Sequence, residues 1–300
     1  MKSVLTRRHF IASGVVVAST LQLQRAAKAI GFAPEADVCR LAAEQEEGPF
    51  YVADELVRSN IVEGKPGVPL SLRLVVLDTR TCKPLQNAAV DIWHCDAGGV
   101  YSGYTKQSMM QGGPPGGPDG QGGPPPGLDP QHPGDRPGPP GGMRGAPKNN
   151  PTDKFTFLRG IQITGADGSV NFQTVFPGFY QGRTNHIHFK VREGGQISAK
   201  TYAAGHTAHT GQLFFPEEVS VQLMQHEPYS LHKIHRTTQA EDHVFGEQNG
   251  HLFLARLQPL HPGNFGAGIH AELIAAVDPT ATPAGIQPMG GPGPNPGGSR

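Results

Sequence analysis

The chain has 300 residues, and its 25 basic and 25 acidic side chains give a formal net charge of zero. Such a chain sets up no field to hold DNA, RNA or an anionic membrane surface, so charge-driven binding to these partners is excluded. The 41 glycines and 29 prolines exceed ordinary usage, so part of the chain is expected not to fold, and 14 histidines make metal binding a question from the outset.

At the start, Arg7 and Arg8 precede an uncharged, largely apolar run over 10–23. That run is too short to span a bilayer, which takes roughly 20 apolar residues. Ala27-Lys28-Ala29 offers a small-x-small cleavage site. Thr6-Arg7-Arg8-His9-Phe10 is similar to a twin-arginine export signal, and Arg25 and Lys28 near the cleavage point fit that route. Residues 1–29 are therefore read as an export signal peptide. The mature protein is expected to be exported, periplasmic or extracellular, with no stable membrane insertion once the signal is removed. An ordinary secretory signal or an uncleaved anchor is the competing reading.

Residues 36–46 allow a short helical turn, and no long helical period appears anywhere. The next elements read as strands. Residues 70–77 alternate and then run fully apolar; 88–93 come after a Cys82-Lys83-Pro84 turn. Residues 111–147 are nearly pure Gly and Pro with a few polar residues and no strict Gly-x-y period. They cannot bury enough apolar area to offset ordering entropy, so they read as a disordered loop inserted in a domain. Strands are expected over 158–164 and 170–176, around a Gly165-Ala166-Asp167-Gly168 hairpin turn, and over 186–191, 212–215 and 252–257. Residues 279–300 read as a disordered tail. The expected fold is all-β: a β-sandwich of mostly antiparallel strands over 30–278, carrying a long Gly/Pro-rich loop.

Three cysteines, Cys39, Cys82 and Cys95, form no Cys-x-x-Cys pair, so a zinc ribbon is excluded and at most one intrachain disulfide can form. Cys82 and Cys95 bracket one strand. At about 3.3 Å per residue they stand too far apart to bridge.

The sharpest chemical signal is Asn185-His186-Ile187-His188-Phe189-Lys190-Val191. Side chains alternate along a strand, so His186 and His188 share one face while Ile187, Phe189 and Val191 share the core face. Two imidazoles can then meet one ion, although many His-x-His pairs are only polar strand faces. Tyr180, after the Pro177-Gly178 turn, and Tyr101, after Gly98-Gly99, are candidate oxygen ligands. Phenolate is a hard donor that favours Fe(III) over Zn(II). Two tyrosinates and two neutral imidazoles leave one unit of charge on Fe(III), which a hydroxide would neutralise. Taken singly, each tyrosine is more often a packed aromatic.

In this order and spacing the chain resembles the intradiol ring-cleavage dioxygenases, the group that contains catechol 1,2-dioxygenase and protocatechuate 3,4-dioxygenase. The resemblance runs from Glu46-Glu47-Gly48-Pro49-Phe50-Tyr51 through Ala89-Val90-Asp91-Ile92-Trp93-His94, Gly99-Val100-Tyr101-Ser102, Phe157-Leu158-Arg159-Gly160 and Pro177-Gly178-Phe179-Tyr180. It continues over 182–188 and ends near Gln212-Leu213-Phe214-Phe215. It implies a β-sandwich core and Fe(III) held by Tyr101, Tyr180, His186 and His188. It places a catalytic arginine on Arg183 and a glutamine on Gln212, and gives Tyr180 the part of a proton acceptor. The implied reaction joins O2 to a catechol-type substrate and opens the ring to a cis,cis-muconate-type dicarboxylate. Tyr51 is the best position for substrate contact.

The chain departs from the pattern in two places. The 111–147 insert is unusual in length, and the helical segment that pairs catechol 1,2-dioxygenases is missing before Glu46, so homo-oligomerisation is left open. Tyr104 is a decoy for Tyr101. His94 is expected to be structural. His226, His232, His235 and His243, with Glu227, Glu241 and Asp242, read as a polar loop rather than a second metal site. Two rival readings compete with the dioxygenase. A cupin would use His186, His188 and Glu193 but lacks a second motif. A secreted prealbumin-like binding module explains the strands and leaves the histidines without a purpose.

Overall fold

Strand β1 (Pro69–Asp78) alternates as expected: Leu70, Leu72, Leu74 and Val76 are buried, and charged Arg73 lies between them at the surface side. It is the hub of a five-stranded sheet in a computed structural model that describes residues 39–53, 56–106, 151–203 and 205–286. The export segment 1–29, the insert 111–147 and the last part of the expected tail lie outside the described residues. The chain divides into two units, Met1–Arg40 and Leu41–Arg300, and every strand and helix named below belongs to the second.

On one side β1 pairs antiparallel with β5 (Ser169–Val175), and its end pairs with the short β2 (Lys83–Pro84). On the other it runs parallel to β11 (Asn264–Val277), with Leu70 opposite Ile269, and β11 pairs antiparallel with β10 (Arg256–His261). The second sheet is wholly antiparallel, in the order β4 (Arg159–Ile163), β3 (Ala89–Trp93), β6 (His186–Glu193), β9 (His206–Phe214). A small hairpin, β7 (Gln196–Ser198) and β8 (Thr201–Ala203), stands apart.

The two sheets close on one core. Leu70, Leu72, Leu74 and Val76 from β1 meet Val90 and Ile92 from β3 and Ile187, Phe189 and Val191 from β6. Each such side chain contributes roughly 1.5–3 kcal/mol by burial. This is the expected all-β sandwich.

Four local expectations differ. Residues 41–47 form no helix, and Leu41 bridges Ala276. The Gly165–Gly168 turn forms, with Gly168 N donating to the Gly165 carbonyl at 3.0 Å, but β4 and β5 belong to different sheets. The turn therefore carries the chain across the sandwich instead of closing a hairpin. The strand expected over 252–257 begins only at Arg256, after a 3-10 turn (Gly250–Phe253). Helix α1 (Glu217–Met224), helix α2 (His243–Glu247) and the long β11 carry no signal in the sequence reading.

Of the expected tail, residues 279–286 are described, and His206 Nε2 lies 3.0 Å from the Pro279 carbonyl. Cys82 is engaged in a disulfide, whereas Cys95 is a free, buried thiol, so these two do not bridge. Among the described residues no helix is long and apolar enough to cross a membrane.

The second sheet positions the site through its burial. All of β3 and nearly all of β6 are buried, on both faces. The outer face is covered by the segment before β1. Gln45 N donates to the Thr210 carbonyl at 2.9 Å, and Tyr51 Oη donates to Asp91 at 3.0 Å. A polar strand face has thereby been taken out of water, and each polar group there needs a partner.

Candidate active site

Strand register lays four side chains in one row across that covered face: Arg159 opposite Trp93, Trp93 opposite His188, His188 opposite Gln212. His186 stands beside them on β6. The His186 Nδ1 is 2.6 Å from the Thr184 carbonyl, which can only accept, so Nδ1 carries the proton and Nε2 turns inward as a lone pair. The His188 Nε2 is 3.1 Å from it and the Tyr101 hydroxyl 3.5 Å. The indole of Trp93 stacks on His188, rings 4.8 Å apart and 7° from parallel, and fixes its plane. Burial, and then the charge of Arg183, push the His186 pKa down to about 3; burial and the neighbouring His186 hold His188 well below the ordinary histidine value. Both imidazoles are therefore neutral, the form that binds a metal.

The tyrosines arrive on two loops that lock together through glycines. Gly178 N donates to the Asp96 carbonyl at 3.2 Å, and a Cβ on Gly178 would stand 2.5 Å from that oxygen. In return, a Cβ on Gly99 would collide with the Phe179 carbonyl, and Gly99 has φ +80°. Asp96 braces the first loop, its carboxylate accepting from Gly98 N and Val100 N at 3.0 Å each. The outcome is that Tyr101 and Tyr180 meet edge to face, ring centroids 5.7 Å apart, with Phe50 stacked on Tyr101 at 4.5 Å. Burial, and then the neighbouring Tyr180, raise the Tyr101 pKa well above the usual tyrosine value. Burial also pushes Tyr180 up to about 12, against the pull of Arg183. Phenols so placed ionise only against a strong positive charge. Tyr104 packs in the same aromatic cluster, its ring 5.4 Å from Phe50, but its hydroxyl donates to the Tyr51 carbonyl at 3.0 Å.

Arg183 is buried beside the tyrosines. Its Nη1 is 3.5 Å from the Tyr180 hydroxyl and 3.7 Å from Glu46 Oε1, and its Nη2 donates to Gln212 Oε1. Gln212 in turn donates to the Glu46 carbonyl at 2.8 Å. The Arg183 Nε faces both oxygens of Asp242, at 3.1 and 3.2 Å.

Tyr101, Tyr180, His186, His188, Arg183 and Gln212 are thus brought together. Tyr51 borders them, 4.9 Å from Trp93 ring to ring, with its hydroxyl committed to Asp91. His94 bonds the Cys95 carbonyl at 2.8 Å and Thr174 Oγ1 at 2.7 Å, a structural link between the sheets. Glu193 lies five positions beyond His188 and so faces the other way, about 16 Å along the strand. It cannot share an ion with the histidines. Among the described residues no three of His, Cys, Asp and Glu gather as a metal cluster; the set here is two His and two Tyr. Sequence reasoning missed Asp242 and Glu46, both buried against Arg183, because nothing local marks a carboxylate that docks from so far along the chain.

Neither family models nor curated proteins gave a match to the chain. Among solved structures, an intradiol ring-cleavage dioxygenase from Tetranychus urticae aligns at 30% identity over 82% of this chain and 98% of that one, with a TM-score of 0.62. A second dioxygenase crystal structure aligns with the same identity, coverage and score. The dioxygenase domain of a carbohydrate-binding fusion protein from Streptomyces sp. SirexAA-E aligns at 25% identity over 79% and 98%, with a TM-score of 0.44. Fold, site and likeness together define an oxidoreductase built on a β-sandwich. The chain belongs to the intradiol ring-cleavage dioxygenases.

Proposed function

We propose that the chain uses Fe(III), held by Tyr101, Tyr180, His186 and His188, to open a catechol-type ring between its two hydroxylated carbons. Both atoms of O2 enter the product, a cis,cis-muconate-type dicarboxylate. The observation that carries this reading is that the His188 Nε2, at 3.1 Å, and the Tyr101 hydroxyl, at 3.5 Å, both approach the His186 Nε2 in a buried spot. Two neutral nitrogens and two phenolic oxygens suit a hard, highly charged ion. Such an ion also supplies the positive charge that these buried phenols need to ionise. The ion, when bound, would supply the Lewis acidity that favours an ionised catechol and its reaction with O2.

The chain's own groups handle protons and charge. Tyr180, ionised only by the ion it helps to hold, would be the acceptor for one substrate hydroxyl proton, and burial, which raises its pKa, favours the protonated phenol once it is released from the ion. Arg183 Nη1, beside the Tyr180 hydroxyl, offsets negative charge as it develops on the substrate. Gln212 keeps Arg183 in place through Nη2. Tyr51, its hydroxyl engaged by Asp91, would meet a substrate through its ring. Phe50 and Trp93 keep the surroundings apolar, which strengthens each of these charges.

Iron analysis, the visible spectrum and oxygen uptake with a panel of protocatechuate, catechol, hydroxyquinol and larger lignin-derived catechols test the reading. It predicts about one iron per chain, tyrosinate-to-iron colour and consumption of O2 with at least one catechol. Zinc or no metal in active protein would sink it. We also propose export by the twin-arginine-like segment 1–29, on the strength of Arg7-Arg8 and Ala27-Lys28-Ala29. Mature exported protein should then begin at Ile30.

A further inference from the structure

Asp242 lies 59 residues after Arg183 in sequence, in a stretch that reads as a polar loop, yet it is only 1% exposed. Its carboxylate serves two elements at once. Oδ1 caps helix α2, accepting from Val244 N at 2.9 Å and Phe245 N at 3.2 Å. Oδ2 accepts from Thr184 N at 2.8 Å, just before β6, and from Arg183 Nε at 3.1 Å. An arginine side chain is long and its guanidinium is planar, so fixing two of its nitrogens fixes where the third points. Here Nε is fixed by Asp242 and Nη2 by Gln212. Nη1 is left between the Tyr180 hydroxyl at 3.5 Å and the Glu46 carboxylate at 3.7 Å.

We propose that Asp242 is a positioning residue that sets the guanidinium plane of Arg183, so that Nη1 stays within reach of the Tyr180 hydroxyl instead of closing further on Glu46. The role rests on the dioxygenase reading of Arg183 and Tyr180. An asparagine cannot replace the carboxylate. Its one acceptor oxygen can cap α2, but its NH2 then confronts two donors, Thr184 N and Arg183 Nε. A serine caps a helix well but is too short to reach Arg183.

The test uses the full iron-loaded chain carrying Asp242→Asn or Asp242→Ser, each alone and combined with Arg183→Ala. Iron content, circular dichroism, the visible band and catechol turnover are measured together. Either single change should leave iron content and circular dichroism as in the wild type and shift the visible band. It should lower kcat roughly 10- to 100-fold, the cost of losing a charged hydrogen bond, with little change in KM. In the Arg183→Ala background the same change should alter residual kcat by no more than about twofold, because there is no guanidinium left to place. Equal factors in both backgrounds would mean that Asp242 is only a helix cap and would overturn the proposal. So would wild-type kcat in Asp242→Asn, or failure of both variants to fold. A wild-type chain without iron or catechol turnover would instead sink the dioxygenase reading. In that case the crystal structure of metal-free Asp242→Asn decides: a guanidinium that has turned towards Glu46 supports the placement, and one that has not moved overturns it.

Discussion

The two pairs of candidate ligands reach the same point by different means. His186 and His188 sit two apart on one strand, so the backbone alone delivers both to one face, with Ile187 and Phe189 anchoring the opposite face in the core. Tyr101 and Tyr180 come from separate loops, and nothing in either loop alone sets the distance between them. That distance depends on Gly99 and Gly178 letting one backbone press on the other, and on Asp96 bracing the turn. Strand-borne ligands inherit their geometry from the fold. Loop-borne candidates need geometry built for them.

The largest effect should come from the strand. His186→Ala or His188→Ala removes a neutral donor with no substitute nearby, so iron content should fall by more than about tenfold. Circular dichroism should stay native, because the core face is untouched. Retention of full iron by either variant would break the contrast.

Next should be Gly99→Ala. It combines a φ of +80° with a collision against the Phe179 carbonyl. The expected cost is about 2–4 kcal/mol, seen as a Tm lower by roughly 5–15 °C. Because the clash falls on the other tyrosine's loop, the visible band should move as well. An unchanged Tm would show that the loops are not interlocked.

Tyr180→Phe should be gentler on the metal and harsher on the reaction. Iron should be partly retained and the absorption band altered, with turnover lowered roughly 100-fold for want of a proton acceptor. Full turnover in this variant would remove Tyr180 from the proton chemistry.

The smallest effect should be that of Tyr104→Phe, which loses one hydrogen bond to the Tyr51 carbonyl, about 1 kcal/mol, and leaves iron and colour alone. Colour that survives Tyr101→Phe but not Tyr104→Phe would reverse the assignment of ligand in this turn.

Legibility in the sequence divides along the same line. Alternation has a period of two residues, so the core and site faces of 186–191 could be read directly. The Gly165-Ala166-Asp167-Gly168 signal marked a turn correctly because turn chemistry is local, whereas Pro177-Gly178 forms no turn and the chain turns at 181–182 instead. Strand β11 escaped notice. Its Ala271-Glu272-Leu273-Ile274-Ala275-Ala276 run is built of helix formers, and it is a strand only because it pairs in parallel along β1. The same run carries no sign of its partner. Likewise, the turn over 165–168 was legible as a turn, but whether it joined two strands of one sheet or crossed between sheets depended on pairings far away.

In the sequence alone, alternation put His186 and His188 on one face, the family resemblance named Tyr101 and Tyr180 as their partners, and short strands with turn residues marked the β-sandwich, since each of these signals is local. Only the tertiary structure decided that Asp242 and Glu46 bracket Arg183, that the Tyr104 hydroxyl goes to the Tyr51 carbonyl, and that Tyr51 gives its hydroxyl to Asp91. These are contacts between segments tens of residues or more apart in sequence. Burial fixes them, because a charge or hydroxyl taken out of water must find a partner, and the partner is whatever the packing brings to it.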